Sequence, residues 1–347
     1  MTTLQKLLGI RFPIIQAPMA GVQGSALAVA VCNAGGLGSL PCAILSPDTM
    51  HAELAVLRAN TSQPYNVNFF CHTPPAPAPE HEAAWRTVLA PYYKEFGIKP
   101  ETITAGPGRA PFTHEAADLL SEFRPPVVSF HFGLPSAELL QRVKDLGSLI
   151  LSTATTVEEA RWLEDRGVDA IIAQGLEAGG HRGNFLSDDL TTQMGTFALL
   201  PQIVREVNVP VIAAGGISDA KGVQAAIVLG AAGVQVGTAY LLCPEATTSN
   251  VHRSALKSEA GHHTALTNLF SGRPARGIVN RVMREFGHMS EACPAFPLAT
   301  AAIAPLRAKA EAMGSGDFSP LWAGQNPSGC AEVPAARLTL ELAAGVE

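Results

Sequence analysis

Eight short runs rich in Val, Ile and Ala recur along the first 243 residues, and they limit what this chain can become more than any other feature. They are PIIQAP, GGLGSLP, YNVNFF, PVVSFHFG, LILSTAT, DAIIAQG, VPVIAAGG and AGVQVGTAYLL, starting at residues 13, 35, 65, 126, 149, 169, 209 and 232. Each is nearly continuous in apolar character, whereas a strand with one wet face would alternate. Strands buried on both faces need cover on both sides, and the segments between these runs carry helical periodicity. Strand and helix in alternation means parallel pairing. Eight such units predict an α/β fold, a (β/α)8 TIM barrel, with a doubly wound open sheet as the alternative.

Two stretches break the repeat. An insertion after the third strand, about 72–123, opens with the proline-dense HTPPAPAPEHE, which favours an extended connection over a helix. Beyond residue 245 the strand signal fades into segments such as PLATAAIAPLRAKAEAM. The chain therefore divides into a barrel, 1–245, and a mostly helical C-terminal segment, 246–347. That segment is expected to cap the barrel mouth; the plainer reading is a bundle thickening the outer wall.

Composition excludes several functions. With 347 residues and 47% hydrophobic content the chain can bury a large core. A net charge of -6, with no run of Lys and Arg among aromatics, offers nucleic acid nothing to bind. Six scattered cysteines without a C-x-x-C pair point to a reducing, cytoplasmic setting. No signal-peptide pattern and no run of roughly 18 apolar residues suggests a membrane partner. Oligomeric state is not legible.

In a parallel barrel the chemistry sits at the C-terminal ends of the strands. His181 follows the sixth strand behind Gly179 and Gly180, which allow the backbone to approach a flat or charged ligand. At a strand end it reads as catalytic; elsewhere a glycine-flanked histidine would be a surface residue. Gly215 and Gly216 after the seventh strand, with Ser218 or Asp219 as helix cap, and Gly237 and Thr238 after the eighth are the parts of a barrel phosphate site. The alternative is two tight turns. Met19, Ala20 and Gly21 lie past the first strand, Asn68 on the third, His131 at the end of the fourth and Gln174 at the end of the sixth. Amides both donate and accept, which suits the edge of a heterocycle. Together with a phosphate site they suggest a mononucleotide-like cofactor.

GGLGSL, GPGRAP and GSGDFS each lack the third glycine of a dinucleotide fingerprint. His262, His263 and HEAAWR have no metal partner at ligand spacing and read as solvated surface, so no metal is expected.

The segments PIIQAPMAGV, NAGGLGSL, NVNFFCH, SFHFG, AQGLEAGGHRG, VIAAGGI, VQVGTAYLLCPE, FSGRPARGIVNR and WAGQ resemble the larger class of nitronate monooxygenases, formerly called 2-nitropropane dioxygenases. The resemblance runs from about residue 7 to residue 326, with the H-R-G segment its most specific element. It implies a TIM barrel holding non-covalent FMN. Met19, Ala20, Gly21, Asn68 and Gln174 would face the flavin ring or ribityl chain, with Gly179 and Gly180 beside them. Gly215, Gly216, Gln235, Gly237 and Thr238 would hold the phosphate end, His181 would be the catalytic histidine and His131 a second active-site histidine. The implied reaction oxidises alkyl nitronates, propionate 3-nitronate among them, with O2 to a carbonyl compound and nitrite, through one-electron transfer to FMN. Arg273 or Arg276 would meet a substrate carboxylate. Two rivals stand: an NAD(P)H-dependent quinone or enoyl reductase on the same FMN barrel, and a flavin-binding protein without turnover. Titratable groups at the strand ends count against the second.

Overall fold

A computed structural model describes residues 2–103 and 109–346; the first three residues of the GPGRAP segment lie outside that set. The barrel strands are β1 (Ile14–Gln16), β2 (Gly38–Pro41), β3 (Tyr65–Phe70), β4 (Val127–His131), β5 (Leu149–Ala154), β6 (Ala170–Gln174), β8 (Val211–Ala214) and β9 (Gly233–Val236). All pair in parallel in the order β1-β9-β8-β6-β5-β4-β3-β2. The ring closes between β1 and the start of β2, where Gln16 donates its N–H to the Leu37 carbonyl at 2.9 Å and Leu37 donates back to Ile14 at 2.9 Å. The fold is the TIM barrel, not the open sheet.

The strands are buried on both sides because helices cover the outside and side chains fill the inside. Every residue of β3 is buried. The interior is partly polar: Asn66 Nδ2 donates to the hydroxyls of Ser39 at 3.0 Å and Ser129 at 2.9 Å, and Gln16 is hydrogen-bonded to Gln23 and to the Ser39 N–H. Such groups are tolerated because most of them satisfy one another, the buried Oδ1 of Asn66 being an exception.

The insertion is more ordered than its prolines suggest. Residues 72–78 are irregular, but Pro79 starts a helix to Glu95, where its missing N–H costs nothing and Glu80 and Glu82 suit the positive helix end. Trp85, Leu89 and Tyr93 on this helix are fully buried against Ala299, Ile303 and Leu306 of the helix Ala299–Ala312. The following helix, His114–Phe123, packs between its neighbours Pro47–Asn60 and Ala137–Asp145 and so belongs to the barrel wall.

The C-terminal segment does two things. Its last helix, Ala335–Ala343, packs on the wall helices Ser25–Ala34 and Ala220–Val228, where Thr339 Oγ1 meets Tyr240 Oη at 2.9 Å. Before that helix the chain crosses the mouth, and it is not purely helical there. Strands β10 (Thr264–Thr267) and β11 (Ala275–Ile278) form an antiparallel pair, extended by β7 (Gly180–His181) from the loop after β6. His262 and His263 are exposed beside a short 3₁₀ turn.

Candidate active site

A cavity of about 200 Å³, measured by where the centre of a water-sized sphere can go, opens at the C-terminal ends of the strands. One water needs only about 10–15 Å³ on that measure, so there is room for a large ligand. The cavity brings together Met19, Ala20, Asn68, His131, Gln174, Gly179, Gly180, His181, Gly215, Gly216, Gln235, Gly237 and Thr238. Gly21 does not line it: this glycine turns with φ 84° in an exposed loop, and its missing side chain would face Ile44. Its place in the sequence pattern reflects the turn.

The seventh and eighth strand ends leave backbone donors free to hold an anion. Gly215 and Gly216 have φ of 117° and 74°, conformations that favour glycine, and the helix beyond them is capped by Asp219, whose Oδ1 accepts from Gly222 at 2.7 Å. The N–H groups of Gly216, Ile217 and Gly237 find no acceptor among the described residues. A Cβ on Gly237 would make only ordinary contacts, 3.4 Å to Ala17 and 3.6 Å to Met19. Gln235 turns toward the cavity with its Oε1 buried and unpartnered. Bare donors and a glycine cradle suit a phosphate, whereas the orphan oxygen of Gln235 asks for a donor such as a hydroxyl or ring N–H.

The amides are tied to the chain more than the sequence suggests. Asn68 Nδ2 donates to the Ser129 carbonyl at 3.2 Å and the Ser129 hydroxyl at 2.9 Å, so its oxygen is what remains for a ligand. Gln174 donates from Nε2 to the His181 carbonyl at 3.0 Å and accepts at Oε1 from the Gly183 N–H at 2.8 Å, clamping the loop that carries the histidine. Arg182 completes the clamp. Fully buried, it donates to the carbonyls of Gly175 at 2.6 Å and Gln174 at 2.8 Å and to Gln193 Oε1.

His181 sits on β7, held in register opposite Ala275 of β11. Its Nε2 meets Ser271 Oγ at 2.9 Å, while Nδ1 has no protein partner among the described residues. Phe296 and Trp322 flank the ring at centroid distances of 5.3 and 5.5 Å. Burial, then the charge of Arg109 and the nearness of His131, Arg273 and His72, hold its pKa well below the ordinary value. That direction favours the neutral imidazole. His131 is used differently: Nε2 is 3.3 Å from the His181 carbonyl and Nδ1 is 3.1 Å from Thr153 Oγ1. A carbonyl only accepts, so Nε2 carries the proton and Nδ1 accepts from Thr153. Burial pushes this histidine down to about 3. One nitrogen holds the loop and the other is anchored to β5.

The positive charge in the mouth therefore belongs to arginines. Arg276 is spent on the Leu176 carbonyl at 2.9 Å and on Thr264. Arg273 bonds to the Asn184 carbonyl and stacks 4.2 Å over Phe132, away from the cavity lining. Arg109, from the insertion, does line the cavity. Ser129, Thr153, Ser271, Arg182, Trp322 and Arg109 have no site role in the sequence analysis. Ser271, Arg182 and Trp322 fall inside FSGRPARGIVNR, AQGLEAGGHRG and WAGQ, but their roles come from contacts distant in sequence.

A closed parallel barrel with bare backbone donors at two strand ends and a buried histidine lining the same cavity is the arrangement of an enzyme that works at the barrel mouth. The chain belongs to the nitronate monooxygenase family, whose model matches residues 1–345, and it is an oxidoreductase. It is 42% identical over 345 residues to a nitronate monooxygenase of Paraburkholderia phytofirmans, covering 98% of this chain and 93% of that one. It is also 42% identical over 342 residues to a nitronate monooxygenase of Pseudomonas aeruginosa, covering 96% and 95%. A nitroalkane oxidase structure from Streptomyces ansochromogenes superposes with a TM-score of 0.90 at 38% identity, covering 99% of this chain and 97% of that one. FabK from Thermotoga maritima is similar at a TM-score of 0.75 and 26% identity, covering 99% and 96%. Among the described residues no helix is long and apolar enough to cross a membrane.

Proposed function

We propose that this enzyme oxidises alkyl nitronates with O2 to carbonyl compounds and nitrite, using one non-covalent FMN, in the cytoplasm, with propionate 3-nitronate as the candidate natural substrate. The observation that carries the reading is the meeting, in one cavity, of an unpartnered N–H cradle at Gly216, Ile217 and Gly237 with a neutral histidine. The residues fit the cofactor. The cradle would take the phosphate, Gln235 and Asn68 would offer oxygens to hydroxyl or ring N–H groups, and Met19 and Ala20 would pack on the ring. When bound, FMN supplies the one-electron oxidation of the nitronate and passes electrons to O2.

The protein supplies position and proton handling. Ser271 holds His181 Nε2, which leaves Nδ1 facing the ligand. As a neutral group it can take the α-proton of a nitroalkane or donate a hydrogen bond to a nitronate oxygen, according to tautomer. His131, Gln174 and Arg182 keep that ring in place through the loop backbone. The FabK likeness favours a second reading, an NAD(P)H-dependent reductase. Anaerobic stopped-flow mixing of the yellow protein with nitronate and, separately, with NADH decides between them. The proposal expects fast bleaching by nitronate and slow bleaching by NADH; the reverse would overturn it.

A further inference from the structure

We propose that Arg109 selects substrates carrying a second negative charge, such as a carboxylate a short carbon chain away from the nitronate; this rests on the nitronate reading above. Arg109 enters the cavity from the insertion after β3, not from a barrel strand. Its only side-chain hydrogen bond among the described residues runs from Nη1 to Thr300 Oγ1 at 3.3 Å. No described carboxylate lies within ion-pair distance of it. The five residues before it, Thr-Ala-Gly-Pro-Gly, contain no acid either. A guanidinium has five N–H donors, so most of its hydrogen-bonding capacity meets no acceptor among the described residues.

An arginine drawn this far from water without a counter-charge is costly, and an anionic ligand would remove that cost while gaining charge-assisted bonds. The geometry places such an anion. Arg109 lies 5.5 Å over the Phe296 ring, and the same ring stands 5.3 Å from His181. The guanidinium and the histidine thus contact the same aromatic ring and line the same cavity, near enough for a short bifunctional substrate to place one anionic group at each. The field of Arg109 reaches His181, whose pKa it lowers. His72 is also buried beside Phe296, with ring centroids 4.8 Å apart. Arg273 and Arg276 do not line the cavity, and the Leu176 carbonyl and Thr264 already hold Arg276.

The test uses the holoenzyme and the variants Arg109→Met and Arg109→Lys. The ratio of kcat/KM for propionate 3-nitronate over propyl 1-nitronate is expected to fall roughly 10-fold to 100-fold in Arg109→Met, the worth of a charge-assisted hydrogen bond, and to recover in part in Arg109→Lys. Calorimetric titration with succinate, unreactive and close in shape to the carboxylated substrate, should show the same loss of affinity; propionate should bind weakly to all three proteins. An unchanged ratio, with both nitronates slowed equally or not at all, overturns the proposal, as does succinate binding that ignores the substitution. A wild-type enzyme that oxidises both nitronates without preference sinks the role of Arg109 and leaves nitronate oxidation standing. One that oxidises neither sinks the activity itself. Should Arg109→Met not fold, Arg109→Gln takes its place in both measurements.

Discussion

His181 shares its two nitrogens between Ser271 and the cavity, and that division sets what its loss should do. His181→Asn is expected to keep FMN and fold while turnover falls about 10²-fold to 10⁴-fold, the usual worth of a general base or a transition-state hydrogen bond. The loss should be larger for a neutral nitroalkane than for a preformed nitronate, since only the former has an α-proton to remove. Steady-state kinetics on both substrates, with flavin content as control, checks this; a wild-type rate on both would return His181 to a loop residue. Ser271→Ala should lower turnover less, because the imidazole remains and only its aim is loosened.

Among the elements, the glycine turns after β8 and β9 differ in what they tolerate. Gly237 has a negative φ and free space at its Cβ position, so Gly237→Val would intrude on the bound phosphate with little strain in the protein. Its expected outcome is at least a 100-fold weaker FMN affinity, roughly the loss of two hydrogen bonds to a charged group, with melting of the flavin-free protein nearly unchanged. Gly216→Val would lose both, because the left-handed backbone penalises any side chain there. Fluorescence titration beside a thermal melt separates the two; equal losses at Gly237 would mean a turn glycine and no cradle.

The eight barrel strands were legible because burial on both faces forces continuous apolar runs, a local property. Strand β7 was not, since two residues, Gly180 and His181, carry no periodicity. Nor could the sequence show that the helix Ala335–Ala343 returns to the wall some hundred residues after the strand it follows in the barrel, as amphipathicity marks a buried face without naming what covers it. His131 was legible as a site residue by its strand end, but its engagement by Thr153 and the His181 carbonyl is a matter of contacts across the fold.

At the scale of the whole molecule, the purified protein is expected to be yellow, with one FMN per chain, since the cavity offers a single anion cradle. Heat release and mass measurement check this; FAD, or no flavin after reconstitution, would refute it. Acid should destabilise the flavin-free protein steeply. His72 and His252 are held down near 4 and His131 near 3, each chiefly by burial, and His181 lies well below its ordinary value. Unfolded, all would take up protons as pH falls through about 6.5. Folded, they stay neutral to far lower pH. Their contribution is therefore complete above about pH 6.5 and is lost on acidification, at about 1.4 kcal/mol per pH unit for each histidine, until the folded values are reached. Calorimetric unfolding at pH 5.5 in buffers of different ionisation heat should report net proton uptake; none would contradict the neutral cluster.

The pairing of His181 with Ala275 makes the proton-handling residue an edge strand of the segment that roofs the mouth. Gln174 and His131, both on barrel strands, hold the carbonyl of the same residue, so β7 is the seam that ties the roof to the barrel. On the proposed role of His181, the residue that handles the proton is also the one that joins shelter to scaffold. A graft that exchanged the roof between relatives without the loop after β6 would sever the chemistry from its shelter.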